Sequence, residues 1–342
     1  MSTIESMSKY KNDFTIKFAQ VMQKNLSRWQ ATQTQLKSSL VSFNALSCYF
    51  GFAILIFVMT SIKSFGEDIV FSIYFPVCFA VGVFIFTVLM NIRSKNKEYQ
   101  KFVKCDMYPK LLKLFGNISH DIKYGGISIN DLVDSDLFYF IKFFYGDKKD
   151  DDIISGNYNN VDFIMNETNF GYKGKYAIIS MFKGVVMRFQ MHKIIKARVL
   201  ILSKSPFRFV SIYKFFFREL PFKKHLKKNY ERVSVEYEKF NKKYEIWVEK
   251  GCSGQIEARY LLNTAFLDRF MQIKTSFRSQ NMMCSIIHDS MLICLETNKN
   301  LFEMNHLFRK IDDINQYKHL FNEFASVFSF IDVLNLSSKT KL

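Results

Sequence analysis

Proline occurs four times and glycine thirteen times in 342 residues, so long unstructured linkers have little to be built from. The six cysteines, at 48, 78, 105, 252, 284 and 294, include no Cys-x-x-Cys pair, and two of them sit inside apolar runs. Such spacing gives neither a disulfide framework nor a zinc site, and it fits a chain facing a reducing compartment. Histidine is equally scattered, at 120, 192, 225, 288, 306 and 319, with no His-Glu-x-x-His or comparable ligand spacing. A Gly-x-Ser-x-Gly elbow and a Gly-Lys-Ser/Thr phosphate loop are both missing. No catalytic, metal or cofactor-binding residue is therefore assigned, and an interaction role is expected ahead of an enzymatic one. Acidic residues are outnumbered as well, 31 against 48 Lys and Arg, which leaves a net charge of +17. That balance points to anionic partners: lipid headgroups, acidic protein surfaces or nucleic acid.

What the chain has in quantity is apolar sequence, 49% of residues with 38 phenylalanines among them. Two stretches, Val41–Ile62 and Ile69–Ile92, contain no Asp, Glu, Lys, Arg or His. Each is longer than the roughly 20 residues a helix needs to cross a hydrocarbon core. They are apolar all round rather than striped, which separates them from helices of a water-exposed fold. The expectation is a two-helix transmembrane hairpin, 41–62 and 69–92, turned by the short Lys63–Asp68 loop. Lys24, Arg28 and Lys37 precede it, and Arg93, Lys95, Lys97, Lys101, Lys104 and Lys110 follow, against Lys63 alone in the loop. By the positive-inside rule both termini and the large domain are expected on the cytoplasmic side. With no buried charge, the hairpin reads as an anchor in the bilayer.

Around the hairpin, residues 1–40 are expected as an N-terminal cytoplasmic helix, with an apolar stripe at Phe14, Phe18, Val21 or Met22, Leu26 and Trp29. Residues 93–125 continue as a basic juxtamembrane helix, and 126–342 form the cytoplasmic domain. There the period turns strand-like at 161–166, 185–190, 198–203, 207–216 and 244–249. A helix is expected near 255–273, then two strands, 282–287 and 291–296, around a His288-Asp289-Ser290 turn. A three-or-four-residue stripe from Leu301 to Ile331 predicts a long C-terminal helix. Strands in runs with helices at the ends give an α+β class with a mainly antiparallel sheet. Asp150, Asp151 and Asp152 are adjacent rather than spaced for a cation loop, and they read as a solvated turn.

The segment 204–232 interleaves nine cations with aromatics: Lys204, Arg208, Lys214, Arg218, Lys223, Lys224, Lys227, Lys228 and Arg232. Two readings stand side by side. In one, this basic aromatic face contacts an anionic leaflet or a partner, each basic residue contributing about 1 kcal/mol near anionic lipid. In the other, it is a basic edge strand whose rings belong to the core. Nucleic acid needs the same ingredients and ranks third for a tethered domain.

Several ordered blocks carry a family resemblance: Gly146-Asp147 with Ile154 and Gly156, then Phe182-Lys183-Gly184, then Ile256 to Leu262 and Phe266-Leu267-Asp268-Arg269. Together with the hairpin they resemble the bacterial domain of unknown function 3137 over roughly residues 100–335. The resemblance implies a membrane-attached bacterial protein, at the inner membrane, with no established biochemical activity and no catalytic residues to carry over. The resulting expectation is a membrane-anchored, cytoplasmic-facing interaction or scaffold module binding a protein partner or an anionic lipid surface. The alternative is an enzyme acting on a membrane-associated substrate.

Overall fold

A computed structural model describes residues 3–65, 70–122, 125–138, 147–173, 178–205, 221–251, 254–299 and 307–339. The chain divides into two compact units. One comprises Met1–Phe18, Pro109–Phe302 and Tyr317–Leu342, and the other Ala19–Tyr108 and Glu303–Gln316.

The second unit is built on two long helices, α1 (Thr3–Phe65) and α2 (Val70–Phe102). Proline-poor, glycine-poor sequence permits helices of this length, and steps of three, four and seven align their apolar residues. Met22, Trp29, Leu36 and Leu40 are buried on α1, with Tyr99 on α2 and Val103 and Met107 in the π-turn that follows it. Trp29 Nε1 donates to Asp106 Oδ2 (2.7 Å), and Arg28 pairs with Asp106 Oδ1 (3.2 Å). Asn91 Nδ2 donates to Asn44 Oδ1 (3.4 Å), and a Cβ at Gly51 would touch the Phe84 ring at 3.7 Å. Partners rise on one helix as they fall on the other, so the helices pair antiparallel. The register holds from 29 to 51 and from 106 to 84, about 33 Å of helix. Gln33 Nε2 donates to the Leu307 and Arg309 carbonyls (2.8 and 2.7 Å), tying the 307–309 turn to α1.

Beyond this stalk the outward residues are apolar. Leu46, Tyr49, Phe52 and Ile56 on α1, and Phe79, Ile85, Phe86 and Leu89 on α2, are all exposed. The membrane crossings expected at 41–62 and 69–92 are not supported by the described residues, among which no helix is long and apolar enough to cross a membrane. The helical conformation runs through both stretches, but side chains 54–55, 57–78 and 80, the most apolar part of the pair, lie outside the described residues.

The first unit holds the α+β fold. Short α3 (Tyr108–Leu112) leads to β1 (Asn117–Asp121), α4 (Ile129–Asp134), β2 (Asp147–Tyr158), β3 (Val161–Lys173) and β4 (Ile178–Ser203). Then come α5 (Pro221–Asn229), β5 (Tyr230–Val233), α6 (Glu238–Asn241), β6 (Tyr244–Glu249), α7 (Gly254–Leu261), α8 (Thr264–Ser276), β7 (Asn281–Glu296) and α9 (Lys318–Lys339). All pairings among the described strands are antiparallel, in the order β1-β2-β3-β4-β6-β5. β7 follows β4 along one edge throughout, while β4's other edge is shared by β3 and β6. On one face Phe182, Val186, Leu200 and Leu202 of β4 meet Leu137, Phe138, Phe170, Leu226 and Tyr230. On the other, Phe189 packs against Phe330 of α9, which also meets Phe266 of α8. α9 buries one carboxyl, Glu323, whose two oxygens have no hydrogen-bond partner. Burial pushes it well above the usual carboxylate range despite Arg278, and Glu167 adds to the rise.

Several expectations of local structure change. The helix expected over 93–125 passes into a π-turn at Val103–Met107 and ends before β1, the aspartates 150–152 expected in a solvated turn lie in β2, and the runs expected at 185–190 and 198–203 are one strand, β4. The strands 282–287 and 291–296 are one strand, β7, because His288 at φ 52° inserts a bend rather than a reversal. The core-facing set accordingly switches from Met283 before the bend to Leu292 and Cys294 after it. The 255–273 helix is split by Asn263, whose side chain accepts the Phe266 N–H (2.9 Å) and caps α8. The C-terminal helix begins at Lys318 rather than at 301. Residues 307–312 form turns and Ile314–Gln316 a short 3-10 helix, with Asp313 capturing the Asn315 N–H, and residues 301–306 lie outside the described ones.

Candidate functional site

α5 is the segment PFKKHLKKN. Proline at its first position donates nothing that the helix needs and presets φ. Leu226 is buried, and Phe222 packs against the same core. Lys223, Lys224, Lys227 and Lys228 are exposed, their spacing placing all four on the opposite side. Lys250 Nζ donates to the Lys227 and Lys228 carbonyls (2.8 and 3.1 Å), closing the helix's negative end with a fifth cation.

Beneath the helix lies a polar cluster. Asp136, at φ 58°, extends Oδ2 to Arg198 Nη1 (2.5 Å) and the Tyr230 hydroxyl (2.5 Å), with His225 Nε2 at 3.4 Å. Asn229 Nδ2 stands 2.9 Å from His225 Nδ1 and holds the ring beside Asp136. Burial acts to raise the Asp136 carboxyl. The Tyr230 hydrogen bond and the charge and hydrogen bond of Arg198 outweigh it, with a smaller pull from His225, and the carboxyl stays below its ordinary range. Burial and the Asp136 bond in turn raise the Tyr230 hydroxyl. One carboxylate neutralises Arg198 and stands beside His225 of α5, while the buried Arg198 Nε has no hydrogen-bond partner. What the site presents to solvent is the lysine face.

The other expected contact residues divide. Lys204 is exposed just after β4, its N–H bound to the Lys243 carbonyl (2.9 Å), and exposed Arg232 pairs with Glu245 (3.4 Å). Arg208, Lys214 and Arg218 lie outside the described residues, as does the strand expected at 207–216. The three adjacent aspartates separate. Asp150 binds Lys148 and Asn166, Asp151 takes the Asp152 N–H (3.0 Å), and Asp152 turns inward to His120 (3.0 Å). Among the described residues no group of His, Cys, Asp and Glu could hold a metal ion. Gly184 marks a close backbone approach, since a Cβ there would lie 1.8 Å from the Leu295 carbonyl oxygen. The part of the site invisible in sequence is Asp136, separated from Arg198 by 62 residues and from Tyr230 by 94.

Residues 180–336 match the family described as "Protein of unknown function (DUF3137)". The chain resembles this family. The matched stretch runs from β4 through α9 and so contains α5, Arg198 and Tyr230 but not Asp136. Among solved structures, the mycobacterial trehalose monomycolate transport factor A aligns at a TM-score of 0.29 and 8% identity, covering 64% of this chain and 88% of that one. No protein of curated function matches by sequence.

Proposed function

We propose that this protein is a bacterial membrane-anchored interaction module, with the paired apolar segments of α1 and α2 lodged in the inner membrane. Its sheet domain and both termini face the cytoplasm, where the lysine face of α5 docks on anionic headgroups. The observation that carries the docking is α5 itself: four lysines project outward from a short helix whose inner side is held by Leu226, Phe222 and the Asp136 cluster. A fixed array of cations binds a negative surface with little further ordering cost. The anchor is supported by the uncharged stretches and by the exposed apolar residues Leu46, Tyr49, Phe52 and Ile56 of α1 and Phe79 and Phe86 of α2.

The test is amide exchange of residues 221–229 in the full-length chain, reconstituted into phosphatidylcholine bilayers with or without phosphatidylglycerol. Added protection of α5 is expected only with phosphatidylglycerol, and that increase should vanish when the four lysines become glutamate. Equal exchange in both bilayers would refute the docking and leave a protein partner as the ligand of this face.

A further inference from the structure

The terminal helix α9 buries polar side chains as well as rings. Glu323, Ser326 and Ser329 are buried on it, three residues apart, among Phe324, Phe328 and Phe330. Ser326 Oγ donates to the Glu323 carbonyl (2.7 Å) and Ser329 Oγ to the Ser326 carbonyl (3.4 Å), so both hydroxyls serve the helix's own backbone. The Glu323 carboxyl gains nothing from them: its two oxygens are buried without a hydrogen-bond partner. Two charged groups among the described residues act on it. Arg278, exposed in the left-handed turn that follows α8 (φ 49°), attracts it from beyond hydrogen-bonding reach, and Glu167 of β3 repels it. One turn back on α9, burial together with Arg278 and Lys299 holds the exposed His319 imidazole below its ordinary range, so it supplies no counter-charge at neutral pH. What β4 and α8 bring against Phe330 of α9 is aromatic, Phe189 and Phe266. A carboxylate so placed has lost its water and found no donor to replace it, so α9 lies on the sheet with Glu323 as the neutral acid.

The position of Glu323 along α9 decides what its proton controls. Tyr317, just before the helix, lies against Phe18 of α1 with ring centroids 4.9 Å apart. Phe324 and Phe328 hold Phe115, between α3 and β1, at 4.9 and 5.8 Å, and Phe328 stacks on Tyr158 at the end of β2 (4.3 Å). Phe18 and Phe115 belong to the same compact unit as α9. Phe18 is the last residue of α1 in that unit, and Phe115 closely follows Pro109, where the run from α2 enters it. Glu323 falls between Tyr317 and Phe328 along the chain. Bringing water to a charge there means lifting the stretch that makes these ring contacts.

We infer that Glu323 is a proton latch: α9 stays on the sheet while the carboxyl holds its proton, and losing that proton to water releases the helix together with its grip on Phe18 and Phe115. Because the folded carboxyl titrates above the unfolded one, the latch is fully closed below the ordinary glutamate range and weakens as pH rises. The test is amide exchange of residues 318–339 over a pH series, corrected for the intrinsic exchange rate. It uses the full-length chain in phosphatidylcholine bilayers, where the docking assigned to α5 plays no part. The opening constant of α9 should rise about tenfold per pH unit above the ordinary glutamate range. At each pH it should exceed that of residues 185–189 of β4, which reports unfolding of the whole unit. Glu323→Gln should abolish the rise, and Glu323→Met should do the same should the buried amide prevent folding. Phe115→Ala should raise α9 opening by roughly tenfold at every pH and leave the slope intact, since it removes packing and not the proton. A parent slope equal to that of the Gln and Met variants overturns the latch. Equal opening of α9 and β4 at every pH overturns local release and leaves Glu323 acting on global stability alone. Ionisation of Glu323, read from its carboxyl carbon resonance, with α9 opening unchanged overturns it in favour of capture by Arg278. Unchanged opening in Phe115→Ala overturns the grip on that ring.

Discussion

Asp136 and Glu323 are carboxyls with opposite fates. Asp136 is ionised among Arg198, Tyr230 and His225, so removing it strands a guanidinium that has lost its counter-ion. Asp136→Ala should cost about 3 kcal/mol in urea unfolding of the full-length chain, the range for breaking a largely buried ion pair. Its folded carboxyl titrates below the unfolded one. The stability it contributes is present above the ordinary aspartate range and disappears as pH falls through the lowered value. Asp136→Asn should therefore flatten the acid limb of a stability profile. Glu323 runs the other way, since its folded carboxyl titrates far above the unfolded one. Its favourable contribution is complete below about pH 4.5 and declines by about 1.4 kcal/mol per pH unit as the unfolded carboxylate ionises. Glu323→Met should remove that decline and leave the protein more stable than the parent above the ordinary glutamate range. A parent profile identical in shape to that of Glu323→Met would contradict this.

For single elements, α5 and β4 make the sharpest predictions. Each lysine near an anionic surface contributes about 1 kcal/mol, so reversing all four on α5 should weaken docking by at least about 4 kcal/mol, or roughly a thousandfold. Removing the inner anchor should act differently: Leu226→Ala loosens α5 without changing its charge, and should reduce protection of 221–229 in neutral and anionic bilayers alike. On β4, Gly184→Ala drives a methyl into the Leu295 carbonyl and forces β4 and β7 apart, with an expected loss of roughly 2–3 kcal/mol in thermal or urea unfolding. These elements also show how far periodicity reaches. Alternation at 244–249 placed β6, which has one face on the core, whereas the runs at 185–190 and 198–203 belong to a single strand, β4, that is buried on both faces. The same alternation misread β7 as a hairpin, since an inserted residue at a bend and a tight turn both reset the period. The stripe from 301 to 331 overran its helix for a similar reason: Ile311 is buried from a turn as well as it could be from a helix.

For the whole molecule, the α+β class and the antiparallel sheet were legible from strand runs and terminal helices. The lysines of α5 were legible as charge. Their anchoring was not, because Asp136, Arg198 and Tyr230 meet only through the sheet. Nor was the exposure of Ile194 and Ile256, which in sequence look like any core residues. The larger claim concerns where the chain resides. Two uncharged stretches follow a stalk paired through Trp29 and Asp106, and their outward residues remain apolar along the same register. The proposed anchor puts lipid against these residues. Extraction of native membranes with alkaline carbonate addresses this most directly, because the wash releases peripheral proteins and leaves those held by apolar segments. The full-length chain should stay in the membrane pellet, and should remain there when the α5 lysines are reversed. Its release into the supernatant would contradict the anchor and everything built on it.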